Sequence, residues 1–175
     1  MTSGQAALMR DKAGRYADAM PPSLRFLVTA ACLSLPGAVS ADDSKPPYWA
    51  SIRAEVVNMR VGPGEEYRIL WTYRRKSLPL KVVRMREGWR LVEDPDGAKG
   101  WVTARFLTRD RSAIVAGHGL AEMREKADSG SQLKWRLEPG VTGKLGDCSR
   151  NWCLFDVEGR AGYVLQERLW GAGAP

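Results

Sequence analysis

Two stretches decide how this chain is read: Glu87–Leu107, EGWRLVEDPDGAKGWVTARFL, and Arg150–Leu169, RNWCLFDVEGRAGYVLQERL. Trp89-Arg90-Leu91 answers Trp152-Cys153-Leu154, and Gly100-Trp101-Val102 answers Gly162-Tyr163-Val164. Phe106-Leu107 answers Arg168-Leu169, and further upstream Asn58-Met59-Arg60 answers Glu122-Met123-Arg124. The offset falls from 63 to 62 residues between the Trp and Gly matches, so the hairpin there is one residue shorter in the second copy. Four matches in one order make an internal repeat.

Working outward, apolar residues alternate with period two at Ile69, Trp71 and Tyr73, at Leu80 and Val82, and at Trp89 and Leu91. That is the pattern of half-buried strands. Gly62-Pro63-Gly64, Glu87-Gly88 and Asp94-Pro95-Asp96-Gly97 supply turn chemistry between them. No long segment after Pro47 has helical periodicity, and 18 Gly and 10 Pro suit many short connections. The expected class is all-β, each copy a compact barrel or sandwich of about 55–60 residues, a size that barely supports its own core. The stretch Thr108–Ser112 can bridge at most about 17 Å, so the copies are expected to lie side by side and to support one another.

The order M-R…P-G…W-x-L-V…G-W-V…F-L from Met59 to Leu107 resembles the bacterial SH3-like family. Ala121–Leu169 resembles a second member, of the subtype with C-x4-C around its central Trp. The resemblance implies two small, partly open β-barrels in tandem, each of five or six strands. It also implies an exported, non-catalytic module binding cell-wall peptide or glycan, or alternatively an envelope protein such as an enzyme or receptor. The expected divisions are a signal peptide at 1–41, a linker at 42–48, barrels at 49–108 and 114–171 with a linker at 109–113, and a tail at 172–175. Polyproline recognition is not implied, because Thr103 and Phe106, and Leu165 and Arg168, stand where eukaryotic SH3 domains carry Pro and Tyr.

The signal peptide is read from Arg25 and the fourteen mostly apolar residues Phe26–Val39, too short for a membrane-spanning helix of about 20 residues. Small residues at Val39-Ser40-Ala41 place the cut after Ala41, and Met20 offers an alternative start. Cys32 lacks the usual Leu three residues before it, which argues against a lipid anchor. The mature chain is thus expected to be periplasmic or secreted and to hold no transmembrane segment. The net charge is +7; four basic and two acidic residues lie in 1–41, leaving +5 for 42–175.

Cleavage would leave an even pair, Cys148 and Cys153. In an oxidising compartment a structural disulfide is expected, with two free thiols as the alternative. Facing positions on an antiparallel hairpin lie within disulfide range. Met85 and Arg90 occupy the same places in the first copy, so only the second would be stapled. The spacing is not C-x-x-C, which argues against redox catalysis.

A single histidine, His118, excludes His-rich metal centres and leaves little room for triad chemistry; a surface or strand position is the plainer reading. No two carboxylates stand at a spacing that suggests a glycosidase pair. No enzyme activity, cofactor or metal is expected. Basic residues are mixed along the chain with no recognition helix, so nucleic acid is not an expected partner.

Candidate ligand-binding residues are aromatic and basic. Tyr67, Trp71, Arg74 and Arg75, with Tyr73 and Lys76, form the densest cluster. Aromatic faces stack on sugars or planar peptides and guanidinium groups pair with carboxylates. The competing reading, favoured from alternation alone, turns Trp71 and Tyr73 into the core and makes the cations a solvated turn. Trp89 and Trp152 are the other candidates: alternation sends Val92 and Phe155 inward and leaves those two Trp partly exposed. Trp101 and Tyr163 fit either packing or the ligand groove.

Overall fold

The computed structural model describes residues 45–175. The expected leader, its cut after Ala41, Cys32 and Met20 lie outside the described residues. The first sheet is built from β1 (Tyr48–Ile52), β2 (Val57–Arg60), β3 (Ile69–Tyr73), β4 (Pro79–Arg86), β5 (Trp89–Glu93), β6 (Lys99–Thr103) and β7 (Leu107–Thr108). The second uses β8 (Ser112–Val115), β9 (Ala121–Arg124), β10 (Leu133–Leu137), β11 (Thr142–Ser149), β12 (Trp152–Val157), β13 (Arg160–Leu165) and β14 (Leu169–Trp170). The orders are β3-β2-β6-β5-β4-β1-β7 and β10-β9-β13-β12-β11-β8-β14, one topology used twice, antiparallel throughout. A single 3-10 turn, Ala104–Phe106 or Gln166–Arg168, leads into the last strand of each. Seven strands replace the five or six expected, because the hairpin β2–β3 joins the sheet as a pair of arms and a two-residue strand ends it. Among the described residues no helix is long and apolar enough to cross a membrane.

Alternation assigns the cores. In the first barrel Val57, Met59, Leu80, Val82, Val92 and Val102 are buried, and in the second Met123, Phe155 and Val164 stand at the registers of Met59, Val92 and Val102. The motif Gly-aromatic-Val has a steric cause. A Cβ on Gly100 would lie 2.5 Å from Met59 Cγ and 2.9 Å from the Arg60 carbonyl; on Gly162 it would lie 2.5 Å from Met123 Cγ and 2.8 Å from the Arg124 carbonyl. Only glycine lets β6 approach β2, and β13 approach β9, closely enough over the buried methionine.

The barrels are joined through their first and last strands. Trp49 and Trp170 meet edge to face with ring centroids 4.7 Å apart, and Trp49 Nε1 donates to the Gly173 carbonyl at 3.1 Å. Ser51 Oγ and Ser112 Oγ share a buried hydrogen bond of 2.5 Å, and Arg111 donates to the Gly171 carbonyl at 2.7 Å. Ile114, a residue of β8, is counted in the first barrel's core. Both joining strands begin inside stretches expected as linkers, β1 at Tyr48 and β8 at Ser112. Tyr48 is held there because the Arg109 guanidinium covers its ring at 3.3 Å while Arg90 Nε donates to its hydroxyl at 2.9 Å.

Candidate functional site

The register of β4, β5 and β6 sets the outer face of the first barrel. Arg86 pairs with Trp89 and Trp89 with Thr103; Arg84 pairs with Leu91 and Leu91 with Trp101; Trp101 in turn pairs with Arg60. Arg90, Val92, Gly100 and Val102 point the other way, the last three buried. Trp89, Leu91 and Trp101 therefore form a half-buried stripe bordered by Arg60, Arg84 and Arg86. Directly opposed and diagonal neighbours on one sheet face are within reach of aromatic side chains.

The second barrel repeats the stripe. Trp152 pairs with Leu165, Leu154 with Tyr163, and Tyr163 with Arg124, while Cys153, Phe155, Gly162 and Val164 face inward. Here Ser149 pairs with Trp152 where the first barrel has Arg86, and Asp147 replaces Arg84 by position, so this face is less basic. Trp101 and Tyr163, left open by the sequence, belong to the outer face in both copies.

Trp152 leaves a two-residue turn, Arg150-Asn151, in which both residues are left-handed (φ +49° and +65°). This is the hairpin geometry that matches strand twist, and Asn accepts it readily while Arg does so at a cost. Cys148 and Cys153 face each other one pair before the turn with Cα atoms 4.0 Å apart and are disulfide-bonded. The bridge clamps the strand ends that present Trp152. In the first barrel Met85 and Arg90 pair at that place, and Gly88 takes the left-handed position (φ +67°).

The basic aromatic cluster is only partly brought together. Tyr73 is buried, but Trp71 is 61% exposed, which corrects the reading that put both in the core. Trp71 does share Tyr73's side of β3, yet β3 ends the sheet and pairs only with β2, so nothing among the described residues closes over it. Trp71, Leu70, Arg74, Arg75, Pro95 and Lys99 border a groove of about 930 Å³. The cations are not simply a solvated turn: Arg75 donates to the Gly140 carbonyl of the second barrel at 2.7 Å, and Lys76 pairs with Glu55. Tyr67 lies away from this groove, at the tip of the β2–β3 hairpin. Its ring covers Gly62, where a Cβ would come within 2.5 Å, and its carbonyl accepts from Arg60 at 2.6 Å. Trp135, at the position of Trp71 in the second copy, was not singled out by the sequence; extending the repeat into ILWTY and LKWRL would have found it.

One buried polar pair belongs to the first barrel alone. Tyr73 donates its hydroxyl to Asp94 Oδ2 at 2.8 Å, while Asp94 Oδ1 accepts from the backbone of Asp96 and Ala98 at 3.1 and 2.8 Å. Burial, then the hydrogen bond to Asp94 and its negative charge, push the Tyr73 phenol far above the usual tyrosine range. The folded state holds this proton more tightly than the unfolded state, so its contribution is complete below about pH 10 and is lost as pH rises toward the folded value. Between pH 9 and 11 the protein is expected to lose about 1 kcal/mol more stability than Tyr73→Phe, read by urea unfolding at each pH. Equal losses would show that the phenol ionises as freely in the fold as out of it.

His118 lies exposed in a loop whose carbonyls, including its own, accept from Arg168 at 3.0 Å. Among the described residues no three His, Cys, Asp or Glu side chains converge as a metal-binding group.

The family model for the bacterial SH3 domain matches residues 53–108 and 118–171, well over half of the chain. No curated protein matches. Similar solved structures include NlpC2 from Trichomonas vaginalis, at 11% identity and a TM-score of 0.33, covering 71% of this chain and 48% of that one. NlpC1 from Trichomonas vaginalis matches at 11% identity and 0.34, covering 77% and 51%. An NlpC/P60 family protein from Bacillus cereus matches at 10% identity and 0.31, covering 70% and 56%. The chain thus spans about half the length of these structures. With one strand order used twice, an outward aromatic stripe in each copy and both copies matched by one family model, this chain belongs to the bacterial SH3 domain family, which it carries as a tandem pair.

Proposed function

We propose that the chain is an exported module of the cell envelope, periplasmic or secreted, that binds peptidoglycan peptide or glycan through the outer faces of its two barrels. The observation that carries this reading is the recurrence of one stripe at one register, Trp89-Leu91-Trp101 and Trp152-Leu154-Tyr163. Ring faces of this kind stack on sugars and planar peptide groups, and the guanidinium groups of Arg60, Arg84 and Arg86 are placed to meet wall carboxylates. A polymer that repeats its ligand can engage both stripes at once, which turns two weak sites into one strong attachment.

The test is co-sedimentation of the protein with purified sacculi at about 50, 150 and 300 mM NaCl, a range over which screening tightens to a few ångströms. Pelleting is expected to persist at the highest salt. Pelleting confined to the lowest salt would mean that net positive charge alone holds the protein, and no pelleting would remove the wall ligand. A protein ligand is favoured at one other place, the edge strand β3.

A further inference from the structure

We propose that β3 of the first barrel accepts an extended, carboxylate-bearing polypeptide segment of a partner protein as an additional strand. β3 is the last strand of its sheet, and among the described residues its only hydrogen-bonded neighbour is β2. A strand in that position presents a row of backbone N–H and C=O groups to whatever lies beside it. The five residues Ile69–Tyr73 carry no charge, and Ile69, Leu70 and Trp71 are 41%, 39% and 61% exposed. Soluble proteins ordinarily avoid such an edge by placing charges on it.

The second barrel supplies the control. β10 ends its sheet in the same way, but it carries Lys134 and Arg136 within the strand. Lys134 Nζ sits 4.7 Å from the Trp135 ring centroid and donates to the Ala161 carbonyl at 2.6 Å. At the matching positions β3 has Leu70 and Thr72. The architecture is shared, so the unguarded edge is a property of the first copy's sequence.

Groove and charge define the occupant. The groove of about 930 Å³ runs beside β3, and five residues of strand span about 17 Å, room for four or five residues of an incoming chain. Arg68 and Arg74 flank the strand and carry no ion pair among the described residues. Arg75, Lys76 and Lys99 stand nearby, engaged with Gly140, Glu55 and Glu93. Of the acidic groups at the groove, Asp94 is occupied by Tyr73 and two backbone N–H groups, which leaves Asp96 as the exposed one. The surroundings therefore favour carboxylates on the incoming segment. The backbone row favours a peptide over a glycan, because main-chain hydrogen bonds give the affinity in strand addition.

The experiment measures amide hydrogen exchange of the full chain with the synthetic peptide Ac-Val-Glu-Val-Glu-Val-Glu-NH2, its backbone N-methylated form and its Lys counterpart. The acidic peptide is expected to slow exchange of the Ile69–Tyr73 amides at least about tenfold and to leave Leu133–Leu137 unchanged; the other two peptides are expected to do neither. Arg74→Glu, an exposed change that leaves both cores intact, is expected to weaken the effect about tenfold while sacculus pelleting stays as before. Equal protection of β10, equal binding of the N-methylated peptide, or no protection of β3 at millimolar peptide would each overturn strand addition. Protection of β3 by sacculi but not by the acidic peptide would overturn it too. Failure of sacculus pelleting alone bears only on the wall-binding reading.

Discussion

Replacing Trp152 with Ala is expected to lower the apparent affinity for sacculi about 100-fold at moderate salt, more than the loss of a single contact would cause. The reason lies in the repeat. If each barrel holds a wall segment weakly, the second attachment occurs at the high effective concentration set by the first, and removing either stripe loses that gain. Trp89→Ala should therefore cost as much as Trp152→Ala, and the double variant should fall to the residual binding of the basic surface. Salt separates the two stripes. Arg60, Arg84 and Arg86 border Trp89, whereas Asp147 and Ser149 replace the last two beside Trp152. Binding left in Trp152→Ala should thus fall more steeply with salt than binding left in Trp89→Ala. Trp152→Phe should keep most of the affinity. A loss of only a few-fold in each single variant, with the double variant showing their product, would mean that the two faces act independently.

Much of this arrangement was legible in the chain. The repeat, the turns and the all-β class follow from spacing, and Val92 and Phe155 are inward where alternation put them. The Gly before Trp101 and Tyr163 was visible as a motif, but its cause, a buried methionine and a backbone carbonyl within 3 Å of any Cβ, depends on strands some forty residues apart. Trp71 shows the limit. Alternation correctly gives it the side of Tyr73, but a side becomes a core only when something covers it, and coverage depends on sheet order. β3 ends its sheet through pairings no local pattern encodes. The same holds for Asp94, read as turn chemistry, whose burial depends on Tyr73, 21 residues away. It holds again for the separation of Tyr67 from Trp71, near neighbours in the chain that serve different ends of one hairpin.

The largest stability effect is expected at the centre of the second barrel. Phe155 is fully buried, and Gly143 on the neighbouring strand leaves room for its ring: a Cβ on Gly143 would lie 2.9 Å from Phe155 Cζ and 2.5 Å from the Asp156 carbonyl. The first barrel fills the matching positions the other way round, with Leu80 and Val92, both fully buried. Bulk has moved from one strand to its neighbour while the total is roughly kept, the kind of exchange cores accept. Phe155→Ala removes the bulk on one side where none exists on the other, so the cavity cannot close. A cost of about 4 kcal/mol follows, within the range for truncating a buried Phe. Against a typical total of about 5–15 kcal/mol that is a large share. Urea unfolding checks it, with Val92→Ala as the comparison: that smaller truncation in the first barrel, beside Leu80, should cost about half as much. Because Ile114 and Trp170 of the second barrel pack against the first core, unfolding of Phe155→Ala should also weaken the first barrel. A transition in which the first barrel keeps its full stability would show that the joining strands carry no energetic coupling. A cost for Phe155→Ala below about 1 kcal/mol would show that the second core closes without its ring.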